Sequence, residues 1–172
     1  MKTLPCSHTK LKARAIFLDR DGIINYKRKD HVKNLNEFKI YNGVIEAIKI
    51  LKNHDYLIII VTNQSVINRK LLSVRTLNKI HSQLRNDLEE NGTFIDAIYF
   101  CPHIPEDECR CRKPKPGLLL KALDDFDIDL KNSFMIGDSI SDINAARAIN
   151  CKWILLKNGN YLLPTAKNLI IC

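Results

Sequence analysis

No apolar run in this chain is long enough to cross a bilayer. The longest aliphatic stretch, Leu57 to Val61, has five residues, where about 20 are needed. The first twelve residues hold lysines, a proline and a histidine without an apolar core, so they do not read as a secretory signal. Repeats and low-complexity linkers are also missing. That excludes repeat arrays and leaves residues 1–172 as a single domain with a core at about 14–157 and peripheral ends at 1–12 and 158–172. Acidic residues are in deficit, 19 against 27 lysines and arginines, for a net charge of +8. Such a balance favours an anionic partner. Yet the basic residues are dispersed, apart from Lys27-Arg28-Lys29 and the group Arg110, Arg112, Lys113 and Lys115. No aromatic residues interleave with them as in a stripe on which single strands stack. A small phosphorylated substrate therefore fits better than nucleic acid, and no membrane partner is expected. These features predict a cytoplasmic protein, read here as a monomer.

What is present is an alternation of apolar runs and periodic segments. Strands are predicted at Arg14–Leu18, Tyr56–Val61, Ile95–Phe100, Phe134–Ile136 and Trp153–Leu156. Helices are predicted at about Gly43–Asn53, from a cap near Ser73 to Glu90 with Leu77, Ile80, Leu84 and Leu88 inward, from Pro116 to about Phe126, and at Ile140–Ile149. The tail beyond Asn158 is ambiguous. Strands alternating with helices imply an α/β fold, a parallel sheet of about five strands with helices on both faces and right-handed crossovers.

The stretch Ala15-Ile16-Phe17-Leu18-Asp19-Arg20-Asp21-Gly22 organises the chain. Apolar residues run into two carboxylates one residue apart, and alternate side chains of a strand share a face. Thr62, Lys113 and Asp138 also follow strands or lie near loops, and in an open parallel sheet those loops converge where ligands bind. Together they allow phosphoryl transfer. Asp19 can attack phosphorus and form an aspartyl-phosphate. Asp21 can protonate the leaving alcohol and then activate water. Asp138, with Asp142 behind it, adds a carboxylate for Mg²⁺, a hard cation that prefers oxygen. Thr62 can hold phosphate oxygens, and Lys113 can offset the charge of Asp19 and phosphate together.

The six cysteines are Cys6, Cys101, Cys109, Cys111, Cys151 and Cys172. Three of them fall within eleven residues, beside His103. Cys101-x-His103-x₅-Cys109-x-Cys111 offers three thiolates and one imidazole, the set of a closed, structural tetrahedral Zn²⁺ site rather than four unrelated residues of a reduced protein. Four protein ligands leave no open position, so such a zinc would brace the loop that delivers Arg112 and Lys113. Cys6, Cys151 and Cys172 read as ordinary thiols.

Asp19-Arg20-Asp21-Gly22, Val61-Thr62-Asn63, Lys113-Pro114 and Gly137-Asp138-Ser139-Ile140-Ser141-Asp142 resemble the four ordered motifs of the haloacid dehalogenase superfamily. The resemblance implies a Rossmann-like sheet in the order 3-2-1-4-5 without a large cap domain. It implies that Asp19 is the nucleophile and Asp21 the acid/base, that Thr62 and Lys113 hold phosphate, and that Asp19, Asp21 (through its main-chain carbonyl) and Asp138 hold Mg²⁺. More specifically, Phe17 to Asn25, Thr62-Asn63-Gln64-Ser65, Cys101-Pro102-His103 and Cys111 to Gly117 are similar to the heptose bisphosphate 7-phosphatases and the related histidinol-phosphate phosphatases, a family with a zinc-bound loop. That likeness, over roughly Ala15 to Leu156, implies substrate contacts at Asn25, Asn63, Gln64, Ser65, Arg112 and Ser139, and a second-phosphate charge at Arg69. It also implies a covering loop at Lys27–His31.

There are departures. Ile23 stands where the superfamily usually has Thr, and Val66 and Lys70 stand where the heptose enzymes usually have Gly. The five residues between His103 and Cys109 are closer to the histidinol-phosphatase spacing. The expected activity is removal of the 7-phosphate of a heptose bisphosphate. The alternatives are histidinol phosphate, a nucleic-acid 3′-phosphate, or a non-catalytic zinc-bearing binding module.

Overall fold

The computed structural model describes residues 12–171. The sheet is β1 (Arg14–Leu18), β2 (Tyr56–Asn63), β3 (Ala97–Cys101), β4 (Phe134–Gly137) and β5 (Lys152–Leu155). All pairings are parallel and the order is β3-β2-β1-β4-β5. The helices are α1 (Val44–Lys52), α2 (Val74–Glu90), α3 (Gly117–Asp125), α4 (Ile140–Arg147) and α5 (Leu162–Leu169). β1 is buried on both faces, so its apolar run has no polar alternation. Ile16 and Leu18 join Ile58, Ile60 and Ile136 in a core covered by α1, α2 and α5. Ala15 and Phe17 point the other way and join Ile59, Val61 and Met135 beneath α3 and α4.

Some boundaries differ from the sequence expectation, for local reasons. β2 runs on through Thr62 and Asn63 because these pair with Phe100 and Cys101 of β3. β3 starts at Ala97 rather than Ile95: the Asp96 carboxylate accepts the Ile58 N–H at 2.6 Å and so ends the ladder there. Pro116 is the cap of α3, not its first residue. α4 stops at Arg147, and Asn150 turns the chain at φ +56°. The ambiguous tail contains α5, whose Leu162 and Ala166 are fully buried in the α1/α2 core. The expectations for Cys6 and Cys172 lie outside the described residues.

The order reverses at β1, which has β2 on one side and β4 on the other. Loops leaving the C-terminal ends of β1 and β4 therefore diverge to opposite faces and leave a crevice between them. Asp19 follows β1 and Asp138 follows β4, so both stand at that crevice. Residues 22–43 form the covering excursion, pinned by bridges of Asn25 with Asp21 and with Ile40.

Candidate active site

The Asp19 N–H donates to the Ile136 carbonyl at 3.0 Å, fixing the carboxylate at the rim of the sheet. Lys113, 3% exposed, donates to Asp19 Oδ1 at 2.8 Å and to the Val61 carbonyl at 2.7 Å, and lies 2.5 Å from Asp142 Oδ1. One buried ammonium thus bridges two buried carboxylates. Burial pushes the Asp19 carboxyl up, to about 6, against the pull of Lys113; Asp142 adds to the rise. Burial opposes the charge on Lys113, but Asp19 and Asp142 outweigh it and hold the amine protonated. Asn63 acts as a clip, accepting the Lys113 N–H at 3.1 Å and donating its amide to the Lys113 carbonyl at 3.0 Å.

One carboxylate oxygen each from Asp19, Asp138 and Asp142 lies within 4.8 Å of the others. Asp142 Oδ2 is already satisfied by the Ser139 N–H and hydroxyl, in the capping box that opens α4. Asp138 is different. Its Oδ2 accepts from the Lys27 ammonium at 2.7 Å, while Oδ1 is buried with no hydrogen-bond partner among the described residues. A buried, unpartnered carboxylate oxygen beside two further carboxylates fits a hard divalent cation. Gly22 makes room for this group. Its φ is +105°, and a Cβ there would lie 2.3 Å from Asp138 Oδ2.

The Asp21 side chain stands apart from that cluster. Arg20, fully buried, grips it with Nη2 at 2.9 and 2.8 Å from Oδ1 and Oδ2. Asn25 donates to Oδ1 at 2.9 Å and Gln64 to Oδ2 at 2.7 Å. Burial works against the Asp21 charge, but Arg20 and these amides outweigh it and hold the carboxyl below its ordinary range.

A cavity of about 550 Å³ opens over these groups. Asp19, Asp21, Thr62, Asn63, Ser65, Arg112, Lys113 and Ser139 line it, together with the loop residues Lys27, Arg28, Lys29 and His31. Three expected substrate contacts are placed elsewhere. Asn25 and Gln64 are buried and spent on Asp21, with Gln64 also donating to Thr62 Oγ1 at 3.0 Å. Arg69 does not line the cavity: its N–H closes a turn onto the Ser65 carbonyl and its side chain is exposed. The cationic rim comes instead from the loop after Asn25 and from Arg112, which donates to the His103 carbonyl at 3.0 Å.

Cys101, His103, Cys109 and Cys111 converge beside β2 and β3. The sulfur–sulfur distances are 3.1 Å (Cys101–Cys111), 3.5 Å (Cys109–Cys111) and 3.6 Å (Cys101–Cys109), with His103 Nδ1 3.3 Å from Cys111 and 3.5 Å from Cys101. Among the described residues, Cys101, Cys109, Cys111 and Cys151 are free thiols. Donors about 2.0–2.3 Å from a central ion have tetrahedral edges only slightly longer than these, so the set fits Zn²⁺. Cys151 is buried alone, with its thiol on the Ser133 carbonyl. Sequence reasoning missed the burial of Arg20 and the inward place of His81. The signal for the second was its position within the buried row Leu77, Ile80, Leu84 and Leu88 of α2.

A parallel 3-2-1-4-5 sheet with an aspartate after β1, a lysine bridging two carboxylates and acids after β4 defines a hydrolase of the haloacid dehalogenase type. Residues 110–169 match the HAD-hydrolase-like family model. The chain is 39% identical over 154 residues to the D-glycero-β-D-manno-heptose-1,7-bisphosphate 7-phosphatase of Pseudomonas aeruginosa, covering 90% of this chain and 86% of that one. The β-heptose enzyme of a Helicobacter pylori strain is 44% identical, covering 87% and 84%. The α-heptose enzyme of Campylobacter jejuni is 39% identical, covering 86% and 84%. The crystal structure of the B. bronchiseptica D,D-heptose 1,7-bisphosphate phosphatase, complexed with magnesium and phosphate, superposes with a TM-score of 0.87 at 34% identity, covering 92% of this chain and 98% of that one. The chain belongs to the heptose-bisphosphate phosphatase family of the haloacid dehalogenase superfamily. Among the described residues, no helix is long and apolar enough to cross a membrane.

Proposed function

We propose that this protein removes the 7-phosphate of D-glycero-D-manno-heptose 1,7-bisphosphate through an aspartyl-phosphate on Asp19. The observation that carries the chemistry is the Asp19 carboxylate at the β1/β4 crevice, with Oδ1 held by Lys113 and the side chain facing the cavity. The relatives named above carry the substrate. Asp19 attacks phosphorus, and the bond to the sugar oxygen breaks as that oxygen takes a proton from Asp21, whose carboxyl first takes one up from water against the pull of Arg20, Asn25 and Gln64. Asp21, now a carboxylate, takes a proton from water, which attacks the acyl phosphate and restores Asp19. Thr62, Ser65 and Lys113 hold the phosphoryl oxygens. Arg112 and the Lys27–His31 rim face the rest of the substrate and its second phosphate. Asp19, Asp138 and the main-chain carbonyl of Asp21 would hold Mg²⁺, which when bound offsets charge on the transferring phosphoryl group. We place the enzyme in the cytoplasm, where its thiols stay reduced.

Phosphate release should be measured from both anomers of the heptose bisphosphate, histidinol phosphate and a 3′-phosphorylated oligonucleotide, each with Mg²⁺ and with EDTA. Turnover on a heptose anomer at least about 100-fold above the other substrates, and lost in EDTA, is expected. Preference for histidinol phosphate, or full activity in EDTA, would overturn the reading.

For the second metal, Cys101, His103, Cys109 and Cys111 would hold one structural Zn²⁺ that ties the loop carrying Arg112 and Lys113 to the end of β2. Two bonds support this: the Gln64 N–H donates to the Cys101 carbonyl at 2.7 Å, and the Asn68 N–H to the Pro102 carbonyl at 3.3 Å. Native mass spectrometry should find one zinc per chain, lost in Cys109→Ala together with several degrees of melting temperature. Zinc-free protein with an unchanged melting point would remove the ion from the account.

A further inference from the structure

Arg20 and His81 are buried ionisable side chains with no part in the steps above. Arg20 sits between the two catalytic aspartates in the chain and is fully buried, its guanidinium carbon 5.9 Å from the Phe38 ring centre. His81 projects inward from the middle of α2 and is 7% exposed. Its Nε2 lies 3.4 Å from Arg20 Nη1, while Arg20 Nε and Nη2 face Asp21. The guanidinium thus has one edge on a carboxylate and the other on an imidazole. An arginine N–H only donates, so Nε2 must accept and the ring proton must sit on Nδ1. Burial, then the neighbouring Arg20, pushes the His81 imidazole down to about 3, so it is neutral at physiological pH. A row of Leu and Ile would accept an apolar side chain at this position. A polar ring there needs a reason.

Resting on the reading of Asp21 as the proton-transfer group, we infer that His81 is a positioning residue that aims Asp21 by holding the far edge of Arg20. The Arg20 fork has two ends. With one fixed on α2, the other can grip Asp21 in only one orientation, and Gln64 and Asn25 complete that grip. Without an acceptor at position 81, Nη1 loses its partner in a dry site, and Arg20 can pivot and carry Asp21 with it.

The test uses two phosphate esters with different leaving groups. A sugar or alkyl phosphate needs a proton from Asp21 to depart, whereas the p-nitrophenolate of p-nitrophenyl phosphate departs without one. Asp21→Asn is the reference and should lose roughly 10²–10⁴-fold in kcat on the alkyl ester, with a much smaller loss of p-nitrophenolate release in single turnover. His81→Leu should show the same signature at smaller size, about 10-fold or more on the alkyl ester and under about threefold on the aryl ester, with KM little changed. His81→Gln, which restores an acceptor, should return the alkyl rate to within about threefold. If His81→Leu fails to fold, His81→Met serves in its place. The ¹⁵N shifts of the wild-type imidazole at pH 7 should report the neutral Nδ1–H form. Equal losses on both esters, no loss on either, or a ring protonated on Nε2 would overturn the inference. If Asp21→Asn is selective and the His81 variants are not, only the His81 inference falls. If Asp21→Asn is itself unselective, the reading of Asp21 falls and takes the inference with it.

Discussion

Asp19→Asn should lower phosphate release by roughly 10⁴-fold or more while the protein stays folded. The amide fills the same volume but carries no negative charge and cannot attack phosphorus. It also cannot reproduce the ion pair with Lys113 at 2.8 Å. The fold should tolerate the change, because Asp19 is one of three clustered carboxylates and its burial already works against its charge. A melting temperature equal to or above that of the wild type is therefore expected in EDTA. The reacting step can be read directly. Mass spectrometry of acid-quenched wild-type protein should show a single added phosphoryl group during turnover, absent in the variant. A variant that still turns over within tenfold of the wild type would remove Asp19 as nucleophile.

Lys113→Met should damage both activity and stability. The ammonium is 3% exposed and contacts Asp19, Asp142 and the Val61 carbonyl. Methionine matches its length and leaves two buried carboxylates without their counter-charge, an arrangement that typically costs about 3–5 kcal/mol. Loss of one fixed positive charge at the phosphoryl group should lower kcat by roughly 10²–10³-fold. Two comparisons separate the effects. Mg²⁺ should recover part of the stability lost in EDTA, because it also neutralises the cluster. Adding Asp142→Asn to Lys113→Met should recover part of it without metal, since one of the two orphaned charges is gone. Urea unfolding of the four proteins checks this, and additive losses would show that Lys113 and Asp142 do not act as a pair.

Much of the architecture was legible because β1 and β2 are buried on both faces. Continuous apolar runs such as Leu57–Val61 have few other uses in a chain of this kind. The helical row of α2 and its Ser73 cap were legible for a related reason, since both are set by neighbours within one or two turns. β2 extends past its apolar run because what keeps Thr62 and Asn63 in it is pairing with Phe100 and Cys101, some forty residues away. Arg69 is a charge near a motif, but it does not line the cavity, and the turn its N–H closes onto Ser65 has no periodicity to read. Asn25 and Gln64 lie among the site's motifs, and in the structure both donate to the Asp21 carboxylate, a partnership that no local spacing signals.

The sequence by itself determined the alternation of strands and helices, the order of the chemical motifs and the two metal-type donor sets, because each is written in local spacing and residue chemistry. Only the tertiary structure decided how Asp19 and Asp21 differ. They lie two residues apart on one strand end, yet one faces Lys113 and the acid cluster and the other is gripped by Arg20, Asn25 and Gln64. Part of the difference is local, from Arg20 and Asn25, and part is made by groups arriving from the end of β2 and from the zinc-type loop: Gln64 lies 43 residues from Asp21, and Lys113 lies 94 from Asp19. A carboxylate's environment depends on the charges and amides packed around it, and packing across such distances is a property of the fold.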